Sequence, residues 1–142
     1  MKKTLVVALV GFCSIGLFGQ TEEGDWMLGP FYRAENAQPI LQKDSTSTFI
    51  DPISQKTARW ESMATFNPAA IVKGDSIYVL YRAEEKLGEK EIGGHRSRIG
   101  MAASANGFAF TKRPKPVFYP SQDNQKIHEW PGGVEDPRIV ET

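Results

Sequence analysis

Glu135 and Asp136 stand side by side in the closing run PGGVEDPRIVET, residues 131–142, and carboxylates so placed suit general acid–base work. Along a strand, successive side chains leave on opposite faces, so at most one of the two is expected to look into a given cavity. Asp136, followed by rigid Pro137, is the better candidate for a fixed general acid. The competing reading is that Asp-Pro simply starts a turn. Gly132 and Gly133, just upstream, let backbone and substrate approach closely. Arg82 ends the otherwise apolar run IYVLYRA, where a guanidinium needs a partner or a ligand, unless it reaches solvent from the strand end. Asn67 opens the neighbouring strand and offers an amide that suits a sugar hydroxyl, against a plain turn role before Pro68. Trp60 and Trp130 are suited either to stacking on sugar rings or to packing.

Other chemistries find little support. His95 and His128 sit on separate loops without paired ligand spacing, so no metal site is expected. No glycine-rich phosphate loop, serine nucleophile elbow or paired-cysteine motif occurs.

The residues that carry chemistry must be held by strands. FNPAAIVKGDSIYVLYRAE reads as a β-hairpin turning at Lys73–Ser76, with both strands covered on both faces. RIGMAASANGFAFTKRP reads as a second hairpin, with Asn106-Gly107 as its turn signal. The intervening EEKLGEKEIGGHRSR is charged and contains glycine, and is expected to be a solvated loop. KPVFYP follows as a short proline-bounded strand, then a polar loop from Ser121 to His128, and Arg138-Ile139-Val140 read as the opening of a buried strand.

The bulk composition fits this. A chain of 142 residues with 13 glycines, 9 prolines and 11% aromatics leans to a turn-rich, all-β protein rather than a helix bundle. With a formal net charge of zero, nothing suggests a nucleic-acid partner, which would need a basic stripe or a high pI.

The first residues differ from the rest. MKK followed by TLVVALVGFCSIGLFG has the basic start and short apolar run of a secretory signal peptide ending near Gly19. The alternative is an uncleaved anchor, but the uncharged run is short for a full span. Removing residues 1–19 takes Lys2 and Lys3 and no acid from the 17 basic and 17 acidic residues, which leaves a net charge of −2. It also removes Cys13, the sole cysteine, and with it any disulfide. The expected organisation is a signal peptide over 1–19, a leading segment over 20–59 packed by Trp26, Phe31 and Tyr32, and a strand-rich body over 60–142. The expected location is exported, periplasmic or extracellular, with no membrane span after cleavage.

A faint repeat joins FNPAAIV, residues 66–72, to VEDPRIV, residues 134–140. Each has a polar residue, a proline, a short gap and Ile-Val, with about four strand signals between the two. A strand-rich unit recurring at such spacing is the pattern of a propeller blade. The chain is then expected to stop where a second blade begins, as a fragment of a longer protein.

Taken in order, ATFNPAAIVKGDSIYVLYRAE, SRIGMAASANGFAFTKRPKPVFYP and EWPGGVEDPRIVE resemble the N-terminal part of glycoside hydrolase family 130, the β-mannoside phosphorylases and related β-mannosidases. The resemblance covers residues 60–142. It implies a five-bladed β-propeller, of which this chain holds the first one to two blades. It maps the general acid to Asp136, acting through a hydroxyl of the bound mannosyl unit. Asn67 and Arg82 then hold that sugar, with Arg138 as a neighbouring support. The implied partner is a β-mannoside oligosaccharide, cleaved with inversion and without cofactor or metal. Inorganic phosphate is the co-substrate if the enzyme is a phosphorylase. The groups deciding between water and phosphate are expected mostly beyond Thr142. A phosphorylase conserves bond energy as a retained sugar phosphate, an advantage lost outside the cell, so export favours hydrolysis. A sugar-binding propeller without catalysis is the reading from another class.

Overall fold

The computed structural model describes residues 30–33, 35, 38–87 and 94–141. The expected signal peptide and Trp26 lie outside them. The chain divides into two compact units, 1–37 and 38–142. In the first, Phe31 and Tyr32 are 84% and 85% exposed. Among the described residues, no helix is long and apolar enough to cross a membrane.

Among its described residues, the second unit is all-β apart from one helical turn. A two-residue ladder pairs β1, Phe49–Ile50, with β2, Thr57–Ala58. The main sheet is a four-stranded antiparallel meander in the order β3 (Ala64–Lys73), β4 (Ser76–Lys86), β5 (His95–Ser104) and β6 (Thr111–Lys112). β3 and β4 close through Lys73 paired with Ser76, as the sequence predicts. Gly74 there has φ +60°, a left-handed value that glycine adopts without a Cβ penalty.

Three expectations are corrected. β3 is not covered on both faces: Val72 is 66% exposed, and the covered face belongs to β4 and β5. The charged stretch after Arg82 is not all loop, because β4 runs on to Lys86 and β5 begins at His95. Its buried charges are paired, Arg98 with Asp51 at 2.8 Å and with Glu85 at 2.9 Å, which allows strand to form where composition suggested solvent. Arg138-Ile139-Val140 form no strand and pair with none among the described residues, and Val140 is 81% exposed.

Smaller differences have local causes. Asn106-Gly107 does turn the chain, but within a six-residue loop from 105 to 110. The Asn106 carboxamide oxygen accepts the Phe108 and Ala109 amides there, an arrangement that widens the turn. KPVFYP contributes a single bridge, Phe118 to Ile99. The polar loop ends in a four-residue helical turn, α1, Lys126–Glu129.

The core gathers Phe49, Ala58, Trp60, Tyr81, Ala83 and Ala102. Trp60 is fully buried and stacks on Tyr81 at 6.3 Å between centroids, so it packs and is not a sugar platform. Tyr81 lies over Gly100, its cross-strand partner, where any Cβ would overlap the ring. Its hydroxyl donates to buried Glu61 at 3.1 Å.

Candidate active site

The carboxylate-bearing segment is brought to the sheet by β5. Ser97 donates its amide to the Gly132 carbonyl at 2.9 Å and accepts the Val134 amide at 3.0 Å, forming a parallel bridge at Gly133. Gly133 has φ +108°, and a Cβ there would overlap the Ser97 carbonyl oxygen. Only glycine fits so close a backbone approach. Glu135 and Asp136 then follow directly beside Arg82 on β4.

The two carboxylates do not diverge. Arg82 Nη2 lies 2.7 Å from Glu135 Oε1, and Arg82 Nη1 lies 3.4 Å from Asp136 Oδ1. Strict alternation fails because Asp136 has φ +48°, which turns the chain out of the extended form. Asn67 shares this feature, with φ +46°, and sits at the irregularity in β3 between Phe66 and Ala69. Left-handed values cost about 1–3 kcal/mol for residues other than glycine and persist where surroundings enforce them, often at active sites. Asn and Asp tolerate them best. Both residues precede a proline, which normally presses its predecessor toward extended backbone.

These two strained residues meet. The Asn67 amide donates to Asp136 Oδ1 at 2.8 Å. That oxygen therefore receives both the Asn67 amide and the Arg82 guanidinium. Among the described residues none bonds Oδ2. The Asn67 hydrogen bond chiefly, then that of Arg82 and the charges of Arg82 and Arg138, hold the Asp136 carboxyl below the usual carboxylate range, with partial desolvation opposing. The Asp136 side chain is about half exposed.

Arg82 is itself fixed on every side. Its Nη2 also contacts Glu84 Oε1 at 2.7 Å, its Nε donates to Ser97 Oγ at 3.1 Å, and Phe66 lies beneath it at 4.8 Å. It is 12% exposed, so it does not simply reach solvent. Asn67, Arg82 and Asp136 thus converge. Arg138 does not join them; its Nη1 turns back to the Pro137 carbonyl at 3.0 Å. Trp130 carries the Arg96 guanidinium on its ring at 3.7 Å. His95 reaches Glu84 at 3.5 Å, and His128 is exposed on α1. Among the described residues, no group of His, Cys, Asp or Glu is arranged to hold a metal.

Sequence reasoning missed Glu84 and Ser97. Their signal was register: Glu84 lies two residues after Arg82, on the same face, and pairs across with Ser97.

Residues 31–142 match the family model for glycoside hydrolase family 130, described as β-1,4-mannooligosaccharide phosphorylase. A 1,2-β-oligomannan phosphorylase from Thermoanaerobacter sp. (strain X514) is 37% identical over 81 residues, 57% of this chain and 26% of that protein. A solved glycosyl hydrolase from Bacteroides ovatus superposes with a TM-score of 0.77 at 47% identity, over 83% of this chain and 33% of that one. A second structure matches equally, at TM-score 0.77 and 47% identity over the same shares. It was reported with the finding that the family's mannoside phosphorylases include hydrolases targeting β-1,2 mannosidic linkages in Candida mannan. This chain spans about a third or less of the length of these relatives. With the family match running over most of its length, the chain belongs to glycoside hydrolase family 130.

Proposed function

We propose that Asn67 and Arg82 bind a β-linked mannosyl unit and that Asp136 is the general acid, in an exported enzyme that cleaves β-mannosidic bonds with inversion. The observation that carries this reading is the double anchoring of Asp136 Oδ1 by Asn67 and Arg82, with Oδ2 unbonded among the described residues. A carboxyl fixed by one oxygen delivers a proton from the other in a defined direction. Arg138 lends charge to Asp136 and no direct contact with its carboxylate.

A general acid must be protonated when it acts, and the free protein holds Asp136 ionised. A sugar hydroxyl that takes over donors from Asn67 and Arg82 weakens that hold, so the carboxyl gains proton affinity as substrate binds. Its proton then passes to a hydroxyl of the mannosyl unit, and that hydroxyl's own proton passes to the glycosidic oxygen as the bond to the anomeric carbon breaks. The nucleophile enters from the opposite face, which inverts the centre.

The four-stranded sheet β3–β6 has the strand number of one propeller blade. Asn67 and Asp136 share a left-handed backbone before proline, which supports reading them as equivalent points of successive blades. The site would then lie in a five-bladed β-propeller, with one to two blades supplied here.

Hydrolysis is favoured over phosphorolysis. The 47% identical structures include one tied to β-1,2-mannoside hydrolases, and the basic-then-apolar start of the chain fits export. The second reading, a phosphorylase releasing mannose 1-phosphate, is supported by the family model's description and the 37% identical relative. Incubation with β-1,2-mannobiose, with and without phosphate, separates them. Free mannose independent of phosphate is expected. Mannose 1-phosphate formed only with phosphate would establish the second reading, and binding without any product would indicate a sugar-binding module.

A further inference from the structure

We propose that Glu84 and Ser97 are positioning residues that fix the Arg82 guanidinium by two of its nitrogens, so that its third, Nη1, is directed at Asp136. The inference rests on the site reading above and extends it to residues that touch neither acid nor sugar.

Arginine has five donors in a rigid planar fork, so holding two of its nitrogens determines where the third points. Ser97 Oγ accepts from Nε at 3.1 Å, and Glu84 Oε1 accepts from Nη2 at 2.7 Å. The two acceptors are themselves linked: the Ser97 hydroxyl lies 3.5 Å from Glu84 Oε1 and 3.2 Å from Glu135 Oε1. Ser97 is fully buried and the Glu84 side chain is 7% exposed, so neither geometry is loosened by water. Both sit on central strands of the sheet and face each other in register. Glu135, by contrast, is 46% exposed and comes from the same segment as Asp136. The buried hold on Arg82 therefore comes from the sheet, and the exposed side of the pair is the acid-bearing segment.

Ser97 does two tasks at adjacent atoms. Its backbone pins Gly132 and Val134, which places Asp136, and its hydroxyl receives Arg82, which places the donor facing Asp136. One residue thereby sets both ends of the Arg82–Asp136 contact. Buried Glu84 offsets the Arg82 charge within the sheet, and His95 approaches the same oxygen at 3.5 Å from the start of β5.

The test compares Ser97→Ala and Glu84→Gln with the parent protein in two ways. Hydrogen exchange of the Arg82 Nε–H, followed by nitrogen-15 NMR, reads orientation without reference to activity. Turnover of β-1,2-mannobiose reads function. Ser97→Ala removes one hydroxyl and leaves its backbone pairing intact, so it is the variant that keeps the fold. The expected result is faster Nε–H exchange, a kcat/KM lowered about 10- to 100-fold, and a cooperative unfolding transition whose midpoint falls by a few degrees at most. Unchanged exchange in Ser97→Ala overturns the inference, as does faster exchange with undiminished turnover. Glu84→Gln is expected to lower kcat more than it raises KM, and a rise in KM alone would also contradict the inference. If the parent protein turns over no mannoside, the functional reading fails, and exchange alone still decides whether Ser97 and Glu84 hold Arg82.

Discussion

The Asn67 side-chain amide donates to Asp136 Oδ1 at 2.8 Å and joins two residues 69 positions apart in the chain. Both have left-handed backbones and both precede proline. The two prolines of the faint sequence repeat thus follow residues of the same unusual backbone conformation, and those two residues meet at the candidate site.

Asn67 is the chief influence lowering the Asp136 pKa. Asn67→Ala removes it, so the carboxyl should move up toward its ordinary value near 4. An acid loses activity as pH rises through its pKa, so the alkaline limb of kcat/KM should shift to higher pH. Carboxylate NMR of Asp136 in the free protein checks the same shift directly.

Arg82→Lys keeps the charge and discards the fork. A lysine cannot meet Ser97, Glu84, Glu135 and Asp136 in one plane. We expect kcat/KM to fall about 100-fold, and steady-state kinetics on mannobiose would show it. A loss under threefold would mean that charge alone suffices.

Much of this was legible and some was not. The β3–β4 hairpin was readable because the strand residues are β-branched and aromatic and Lys73–Ser76 is a turn composition. Arg82 stood out as a charge ending an apolar strand. The pairing of Glu135 with Asp136 on one guanidinium was not readable, since period-two alternation presumes extended backbone and Asp136 departs from it. Arg98 was hidden inside a charged run, because its burial depends on Asp51, 47 residues away. Trp60 offered two roles, and only its place beneath Tyr81 decided between them.

Gly133→Ala should damage the site through the backbone. The added Cβ would overlap the Ser97 carbonyl and meet an unfavourable φ. A loss of about 2 kcal/mol or more is expected in denaturant unfolding. Turnover should fall even where the protein remains folded, because the bridge that places Glu135 and Asp136 is displaced.

Asp51→Asn probes the scaffold. The Asp51 carboxylate is 1% exposed and receives the Ile53 and Ser54 amides as well as Arg98. Burial pushes its pKa up, yet the Ser54 amide, Arg98 and the Ile53 amide outweigh it and leave the carboxyl below its ordinary range. Its stabilising contribution is therefore present above about pH 4 and lost as pH falls through the lowered value. Substitution should cost about 3 kcal/mol, toward the low end for a broken buried pair because Glu85 still contacts Arg98. It should also flatten the acid side of the stability–pH curve.

The most direct test of the central claim is Asp136→Asn, assayed on β-mannobiose and on an aryl β-mannoside whose leaving group needs no protonation. If Asp136 is the general acid, turnover of mannobiose falls about 100- to 10,000-fold, while the activated substrate is cleaved at close to the parent rate. Equal loss on both substrates, or undiminished turnover of mannobiose, would contradict that role.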